Sequence, residues 1–147
     1  MMEKNIFKFC SQIGVRNYEV DWQGIVHNAN YLLYFEVGRI EYLKNLKIQI
    51  DLKSIQTNSK IVLVRNEINH LMPAKFDETL NIYTRISEIR NSSFVFEGIL
   101  EEKNSKRIIA ENVAYHVWLN PKNNKSKRVS NSFRKIVKEF EKENLKI

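Results

Sequence analysis

The feature that most constrains the fold is one long stretch of helical periodicity followed by four runs of strand-like alternation. From about Asn30 to Leu46, apolar residues including Tyr31 and Phe35 recur at helical spacing and form one wide face. An alternating run precedes this stretch at residues 6–20, and four more follow it within residues 60–120. One helix followed by consecutive strands predicts an α+β fold with an antiparallel sheet rather than repeated βαβ units.

The predicted helix contains a glycine, Gly38, near its middle. Glycine costs about 1 kcal/mol relative to alanine in a helix, which is tolerable where a helix backbone presses closely on a sheet. Asn28 or Asn30 is expected to cap the start of this helix. Residues 47–60 read as irregular or briefly helical, and a last helix is predicted over residues 132–143.

Length and composition predict a single domain over residues 1–147, since the chain has only four Gly and two Pro and no internal repeat. The lone cysteine, Cys10, lies in an alternating run and is expected to be a buried strand thiol, with a nucleophile as the alternative. One cysteine makes no internal disulfide, which favours a reducing compartment.

No apolar run reaches the ~20 residues of a membrane span, and residues 1–9 lack an apolar signal core, so a cytoplasmic protein is expected.

The net charge of +7 favours polyanionic partners such as nucleic acid, an anionic membrane or a phosphate-rich small molecule. The excess is concentrated in Lys122–Lys138, which holds seven basic residues and no acid. A solvated loop and helix face is the alternative interpretation of this run.

The segment "NYEVDWQGIVHNANYLLYFEVGRIEYL" places Asp21, His27, Asn28 and Asn30 where a strand turns into the helix. The first N–H groups of a helix lack partners and carry the positive end of its dipole, so they can hold a developing oxyanion. A carboxylate beside them could attack the same carbonyl carbon or activate water. His27 is a candidate catalytic residue, as a base or a substrate contact. The alternatives are that Asp21 is a turn or cap residue and that His27 is a packing or surface residue.

Other chemistries find no support in the sequence. His27, His70 and His116 are scattered, and no HxxxH or cysteine cluster accompanies them, so no metal site is predicted. The chain also lacks the glycine-rich dinucleotide motif, the Walker loop and the GxSxG motif. No cofactor is expected.

The same segment resembles the signature of hotdog-fold acyl-CoA thioesterases of the 4-hydroxybenzoyl-CoA thioesterase branch. Three later segments resemble the rest of that family in order: "MPAKFDETLNIYTRI", "RNSSFVFEGIL" and "IIAENVAYHVWLN". The residues that match the first motif are Tyr18, Asp21, Gly24, Ile25, Val26, Ala29, Asn30, Tyr31, Phe35, Glu36, Arg39 and Glu41.

This resemblance implies a hotdog fold, in which an antiparallel sheet wraps around the long helix. It implies a homodimer or homotetramer, because the family's active sites form between two subunits. The implied activity is hydrolysis of an acyl-CoA thioester to a free acid and coenzyme A. Asp21 falls on the catalytic carboxylate, and the backbone N–H of Asn28 falls on the group that polarises the carbonyl. Tyr18, Gly24, His27 and Tyr31 are implied to line the same site.

One departure from the family concerns histidine. Several relatives place His where this chain has Asn28, whereas here the order is His27–Asn28. The role at Asn28 uses backbone, so it survives this change.

A basic rim is expected to hold the phosphates of coenzyme A by charge and hydrogen bonding. Ordinary surface charge is the alternative for each of its members. The candidates are Arg85, Arg90, Ser92, Ser93, Lys122, Lys125, Lys127 and Arg128.

Two other functions stay open at this stage. A hydratase or dehydratase acting on acyl thioesters also pairs an acid with a histidine on this fold. A non-enzymatic basic module would bind RNA or membrane through Lys122–Lys138, but that run holds only Phe133 as an aromatic and so makes a poor stacking platform. The thioesterase resemblance implies no nucleic-acid partner. It leaves open whether Asp21 acts as nucleophile or general base, and which acyl group and carrier are used.

Overall fold

The computed structural model describes residues 1–48 and 60–147. Over these ranges the chain forms five strands and two α-helices, with short 3₁₀ turns at Lys4–Ile6, Asn17–Glu19 and Lys142–Asn144. The elements are β1 (Phe9–Gly14), α1 (Asn28–Asn45), β2 (Lys60–His70), β3 (Thr79–Ile89), β4 (Ser93–Glu102), β5 (Ile108–Leu119) and α2 (Asn131–Glu141).

The strands form one antiparallel sheet in the order β1-β3-β4-β5-β2, and the predicted α+β hotdog fold is confirmed. β1 pairs with β3 in a register that sets Phe9 opposite Thr84 and Gly14 opposite Thr79. The consecutive hairpins β3-β4-β5 follow from the alternation of the sequence, since each run is separated from the next by a short polar turn.

Most predicted boundaries agree with the structure, but two local predictions are wrong. The first strand ends at Gly14 rather than near residue 20, because Asn17–Glu19 forms a 3₁₀ turn. Neither Asn28 nor Asn30 precedes α1 as its cap, since Asn28 is already its first residue. Most of the polar stretch predicted as irregular or briefly helical, residues 49–59, lies outside the described residues.

The chain divides into two compact units, of which the first comprises residues 1–42, 68–85 and 98–112. Its core includes Tyr31, Tyr34 and Phe35 on α1 packed with strand residues such as Leu80 and Ile82. Helix α1 lies so close to β3 that a Cβ built on Gly38 would stand 2.5 Å from Ile82 Cγ2. The predicted close approach of the helix backbone to the sheet is therefore confirmed.

The second unit comprises residues 43–67, 86–97 and 113–147. Phe133 of α2 packs against Phe94 of β4 and Trp118 of β5, with ring centroids 4.9 Å and 5.1 Å apart. Ser130 caps α2 by accepting a hydrogen bond from the N–H of Phe133. That residues 1–147 make one domain stays a prediction.

Two further expectations concern Cys10 and the membrane. Cys10 lies in a strand as expected, but the prediction that its thiol is buried is wrong, because β1 is an edge strand and Cys10 projects to its exposed side. No helix in the described part of the chain has the length and apolar character to cross a bilayer.

Candidate active site

The turn before α1 is closed by a short ladder between residues 19–21 and 25–27. The Glu19 carbonyl accepts the N–H of His27 at 3.0 Å, Val20 pairs with Val26, and the Asp21 N–H donates to the Ile25 carbonyl at 2.9 Å. Gly24, at φ 79°, lies in the tip of this turn, in the left-handed region that side chains disfavour. Helix α1 begins immediately after the second arm of the ladder, residues 25–27, and Asp21 lies at the end of the first arm, residues 19–21. The ladder therefore joins the segment that carries Asp21 to the segment that leads into the helix.

The Asp21 carboxylate is held by the turn itself. Its Oδ1 accepts the backbone N–H groups of Gln23 at 2.8 Å and Ile25 at 3.4 Å, which is the Asx-turn geometry that aspartate favours. Within residues 1–48 and 60–147, no hydrogen bond occupies Oδ2. The side chain is therefore oriented by one oxygen while the other stays available for chemistry.

Glu19, which was not among the predicted site residues, links several elements of this region. Its side chain is buried, 5% exposed, and accepts hydrogen bonds from the Arg16 guanidinium at 2.6 Å and the Tyr34 hydroxyl at 3.0 Å. Its carbonyl also accepts the Asn30 side-chain amide at 2.9 Å. Glu19 thus joins the 3₁₀ turn, the ladder and the first turns of α1.

The ionisation of these groups follows from their contacts. Burial alone would raise the pKa of Glu19, but the hydrogen bonds from Arg16 and Tyr34 outweigh it, and the net pKa is lowered. Burial, followed by the hydrogen bond to Glu19, raises the pKa of Tyr34. The sequence held one signal for Glu19, namely a basic residue, Arg16, three positions before it; in the structure the Glu19 carboxylate accepts the Arg16 backbone N–H at 2.9 Å as well as the guanidinium.

The segment "PAKF" anchors the other side of the turn. The Val26 N–H donates to the Ala74 carbonyl at 2.9 Å, and the Phe76 N–H donates to the Gly24 carbonyl at 3.0 Å. The Tyr31 hydroxyl accepts the Ala74 N–H at 3.0 Å, and its ring is buried. The turn before α1 and the "PAKF" segment, which belong to two separate motifs of the family resemblance, are thus in contact. The Tyr31 hydroxyl stabilises this contact through its hydrogen bond with Ala74.

Tyr18 and His27 both face solvent in this chain. Tyr18 is 73% exposed, with the Arg16 guanidinium 5.5 Å from its ring centroid. His27 is exposed, and its backbone N–H and carbonyl are used by Glu19 and Asn30. Asn28 is also exposed, at the first position of α1.

The residues predicted to hold phosphates fall in different places. Arg85 belongs to the first unit and is buried, with its guanidinium 5.6 Å from the Phe7 ring centroid, so it lies away from the surface of this chain. Arg90 is exposed in the β3–β4 turn of the second unit, where it pairs with Glu88 through two hydrogen bonds of 3.0 Å and 3.1 Å. Ser92 lies in the same turn, and Ser93 is the first residue of β4.

The loop after β5 belongs to the same unit and contacts this turn. The Val129 N–H donates to the Asn91 carbonyl at 2.8 Å, and Arg128 donates to the Asn91 side chain at 3.4 Å; from β5 itself, the Trp118 N–H donates to the Ser92 carbonyl at 2.8 Å. The exposed basic residues of the loop are Lys122, Lys125, Lys127 and Arg128. Among the described residues, no group of three His, Cys, Asp or Glu side chains could hold a metal ion.

Comparison with known proteins places these features in a family context. The protein-family model described as "Thioesterase superfamily" matches residues 23–109, a stretch that begins just after Asp21 and contains His27, Asn28 and Tyr31. The chain is similar to the acyl-CoA thioesterase YbgC of Haemophilus influenzae, with 29% identity over 89 residues that cover 60% of this chain and 65% of that protein. It is also similar to the long-chain acyl-CoA thioesterase FadM of Escherichia coli, with 25% identity over 132 residues covering 88% and 97% of the two chains.

A solved structure supports the fold. A thioesterase from Thermus thermophilus, crystallised in complex with coenzyme A and Zn, matches with a TM-score of 0.79 at 22% identity, covering 92% of this chain and 95% of that one. The chain spans just under two thirds of the length of YbgC and of an Aquifex aeolicus relative, at 65% and 66%.

Proposed function

The chain belongs to the thioesterase superfamily, and on that premise we propose that it hydrolyses an acyl-CoA thioester to a free acid and coenzyme A. The names of YbgC and FadM, both acyl-CoA thioesterases, support this substrate class. The observation that carries the proposal is the turn that holds Asp21 on one arm and the start of α1 on the other.

In the proposed reaction, the substrate carbonyl oxygen accepts a hydrogen bond from the backbone N–H of Asn28. This group lies in the first turn of α1, where N–H groups have no intrahelical partner and the dipole favours negative charge. As the carbonyl carbon is attacked, charge develops on its oxygen, and a fixed donor there stabilises the transition state. Tyr18, Gly24, His27 and Tyr31 are the proposed surroundings of the thioester, with the buried Tyr31 acting through its hold on Ala74.

Asp21 supplies the attack in one of two ways. As a nucleophile, its free oxygen bonds to the carbonyl carbon, the thiolate of coenzyme A leaves, and water then cleaves the resulting anhydride. As a general base, it takes a proton from water while the water oxygen attacks, and the thiolate leaves from the tetrahedral intermediate. Single turnover in isotope-labelled water separates these routes, since solvent oxygen enters Asp21 first in the former and the product directly in the latter. Neither route needs a cofactor.

The nucleotide end of coenzyme A is proposed to contact basic residues. In the second unit, Arg90 and Ser92 lie in the β3–β4 turn and Ser93 begins β4 directly after it. The loop after β5 contacts that turn and holds Lys122, Lys125, Lys127 and Arg128. Guanidinium and hydroxyl groups suit phosphate oxygens. Arg85 is buried in this chain, so its contact with a phosphate would require a rearrangement or a second subunit.

We further propose self-association as a dimer or tetramer in the cytoplasm. Strand β2 lies at one edge of the sheet and exposes Leu63 and Val64, at 43% and 59%. An edge strand with exposed apolar residues favours pairing with another chain. Light scattering on wild type and Val64→Lys tests this, and a wild type that runs as a monomer would contradict it. The single cysteine agrees with a reducing compartment.

The decisive experiment compares wild type with Asp21→Asn. Asparagine retains an oxygen that can accept the Gln23 and Ile25 N–H groups, so the turn is preserved while the charged oxygen is lost. Release of coenzyme A, followed with a thiol reagent over short, long and aromatic acyl-CoAs, should fall by about 10²-fold or more in the variant, the typical size of an acid–base contribution.

Unchanged melting of the Asp21→Asn variant serves as the control for folding. If wild type is active and the variant equally so, the assignment of Asp21 is wrong. If wild type releases nothing from any thioester, a hydratase is indicated by enoyl-CoA formation and a binding module by steeply salt-dependent binding to polyanions.

A further inference from the structure

A single arginine of α2, Arg134, holds the backbone of the β3–β4 turn. One of its terminal nitrogens donates to the carbonyls of both Arg90 and Asn91, the latter at 3.0 Å. Its Nε donates to the Val129 carbonyl at 3.0 Å. An arginine fork is suited to this role because its planar donors can satisfy several carbonyl groups at once.

Other contacts of the turn point the same way. The Val129 N–H donates to the Asn91 carbonyl at 2.8 Å, and the Arg90 N–H donates to the Ser93 carbonyl at 2.8 Å. The carbonyls of residues 90–92 are therefore occupied by protein donors. The Arg90 side chain is exposed and paired with Glu88, so a phosphate at this turn would share or displace that ion pair, while the acceptors of the turn are satisfied internally.

Two guanidinium groups contact the turn, since Arg134 donates to the carbonyls of Arg90 and Asn91 and Arg128 donates to the Asn91 side chain. Burial and the nearby charge of Arg128 lower the pKa of the Arg134 guanidinium. Glu88 offsets the charge of Arg90 and Lys146, so Arg128 and Arg134 are the cations of the turn that a further anion would favour, and the pyrophosphate and 3′-phosphate of coenzyme A are such anions.

We propose that Arg134 is a positioning residue that sets the β3–β4 turn for recognition of the nucleotide phosphates of acyl-CoA. The inference rests on the proposed function, and it concerns an element, α2, that lies beyond the residues matched by the family model. Arg134 acts through Arg90, Ser92 and Ser93 rather than by touching the reacting carbonyl. Its loss should therefore weaken binding of the nucleotide without slowing the chemical step.

The test uses two substrates with the same acyl group, an acyl-CoA and the acyl-pantetheine that lacks the nucleotide. Arg134→Gln is compared with Lys135→Gln, which removes the same charge from the next, exposed residue of α2. Arg134→Gln should raise the KM for acyl-CoA by about tenfold, the size expected for a lost charge-assisted contact, with kcat within about twofold. Lys135→Gln should leave both constants within about twofold, and kcat/KM for acyl-pantetheine should be unchanged in both variants.

Arg134→Lys separates geometry from charge. Lysine keeps the charge but cannot serve three carbonyls in a fixed fork, so the KM for acyl-CoA should stay raised. This milder variant also serves if Arg134→Gln fails to fold. Binding of coenzyme A is measured by calorimetry in parallel and should weaken in the Lys variant by the same factor as the KM rises.

Three results would overturn the inference. Equal effects of Arg134→Gln and Lys135→Gln would mean that only bulk charge matters, and equal losses with acyl-CoA and acyl-pantetheine would mean a general structural role. Full activity of Arg134→Lys would exclude positioning by the fork. A wild type that neither hydrolyses thioesters nor binds coenzyme A would remove the proposed function and this inference together, whereas an active wild type with unchanged variants would remove the inference alone.

Discussion

Replacing Gly38 by alanine should destabilise the protein, although alanine is the better helix former. The substitution gains about 1 kcal/mol of helix propensity. Against this, the new Cβ would stand 2.5 Å from Ile82 Cγ2 and 2.8 Å from Thr84 Oγ1. Ordinary contact between carbon atoms is roughly 3.5–4.0 Å, so the helix and strand would have to separate locally by about 1 Å.

The neighbours of Gly38 offer little relief. Ile82 and Thr84 are β-branched and stiff at χ1, and both are buried. Overpacking of a filled core costs about 1–3 kcal/mol. Because the clash involves two side chains at once, we place the cost near the upper end, at about 2–3 kcal/mol, and the net loss after the helix-propensity gain at about 1–2 kcal/mol.

Urea denaturation followed by circular dichroism, at one fixed protein concentration, measures the loss. In a parallel thermal melt, the melting temperature should fall by about 2–4 °C for each kcal/mol of unfolding free energy lost, as expected for a chain of this size. Gly14→Ala is the matched control, because nothing lies within 4 Å of a Cβ built there, and it should change stability by less than about 1 kcal/mol. A Gly38→Ala variant as stable as wild type would show that α1 does not press on β3 as described, and the reasoning would fail.

Three further predictions concern the turn before α1. Tyr34→Phe should lower the free energy of unfolding by about 2 kcal/mol, because a buried hydrogen bond to the charged Glu19 carboxylate is lost. Chemical denaturation measures this loss, and an unchanged free energy of unfolding would show that the Glu19 contact is unimportant. Because the folded pKa of Glu19 is lowered, its contribution to stability is fully present above its unfolded pKa of about 4.3 and is lost as the pH falls through the folded value. Stability should therefore fall more steeply on acidification in wild type than in Glu19→Gln, and parallel curves would contradict this. Gly24 has a φ of 79°, so Gly24→Ala should lower the free energy of unfolding by about 1–2 kcal/mol and Gly24→Asn by less. Thermal melting checks this, and equal melting temperatures for wild type and both variants would argue against strain at this position.

The local elements could be predicted from the sequence because each has its own periodicity. The helical face of α1 and the alternation of β3 through β5 show which side chains are buried in each element, so the type and sequence of the elements can be read along the chain. The exceptions are places where local chemistry competes with periodicity. Residues 15–20 continue the alternation of β1, yet the Glu19 carboxylate accepts the Arg16 N–H and the Glu19 N–H donates to the Arg16 carbonyl, which stabilises a 3₁₀ turn instead.

The candidate site was located by motif, but its construction depended on contacts between distant residues. Asp21 and the start of α1 are close in sequence, so their placement in one turn could be anticipated. The burial of Arg85 against Phe7 could not, because it depends on which face of β3 the N-terminal segment covers. Equally, no local pattern indicates that Arg134 holds the carbonyls of residues 90 and 91.

The sequence by itself determined the elements, the position of the turn and the family, since periodicity and short motifs are properties of neighbouring residues. Only the tertiary structure decided the partners of Glu19, Tyr31 and Arg134 and the burial of individual charges. Hydrogen bonds and burial depend on which residues distant in the chain are brought into contact, and that information is shared among all the packed elements rather than held by any one segment.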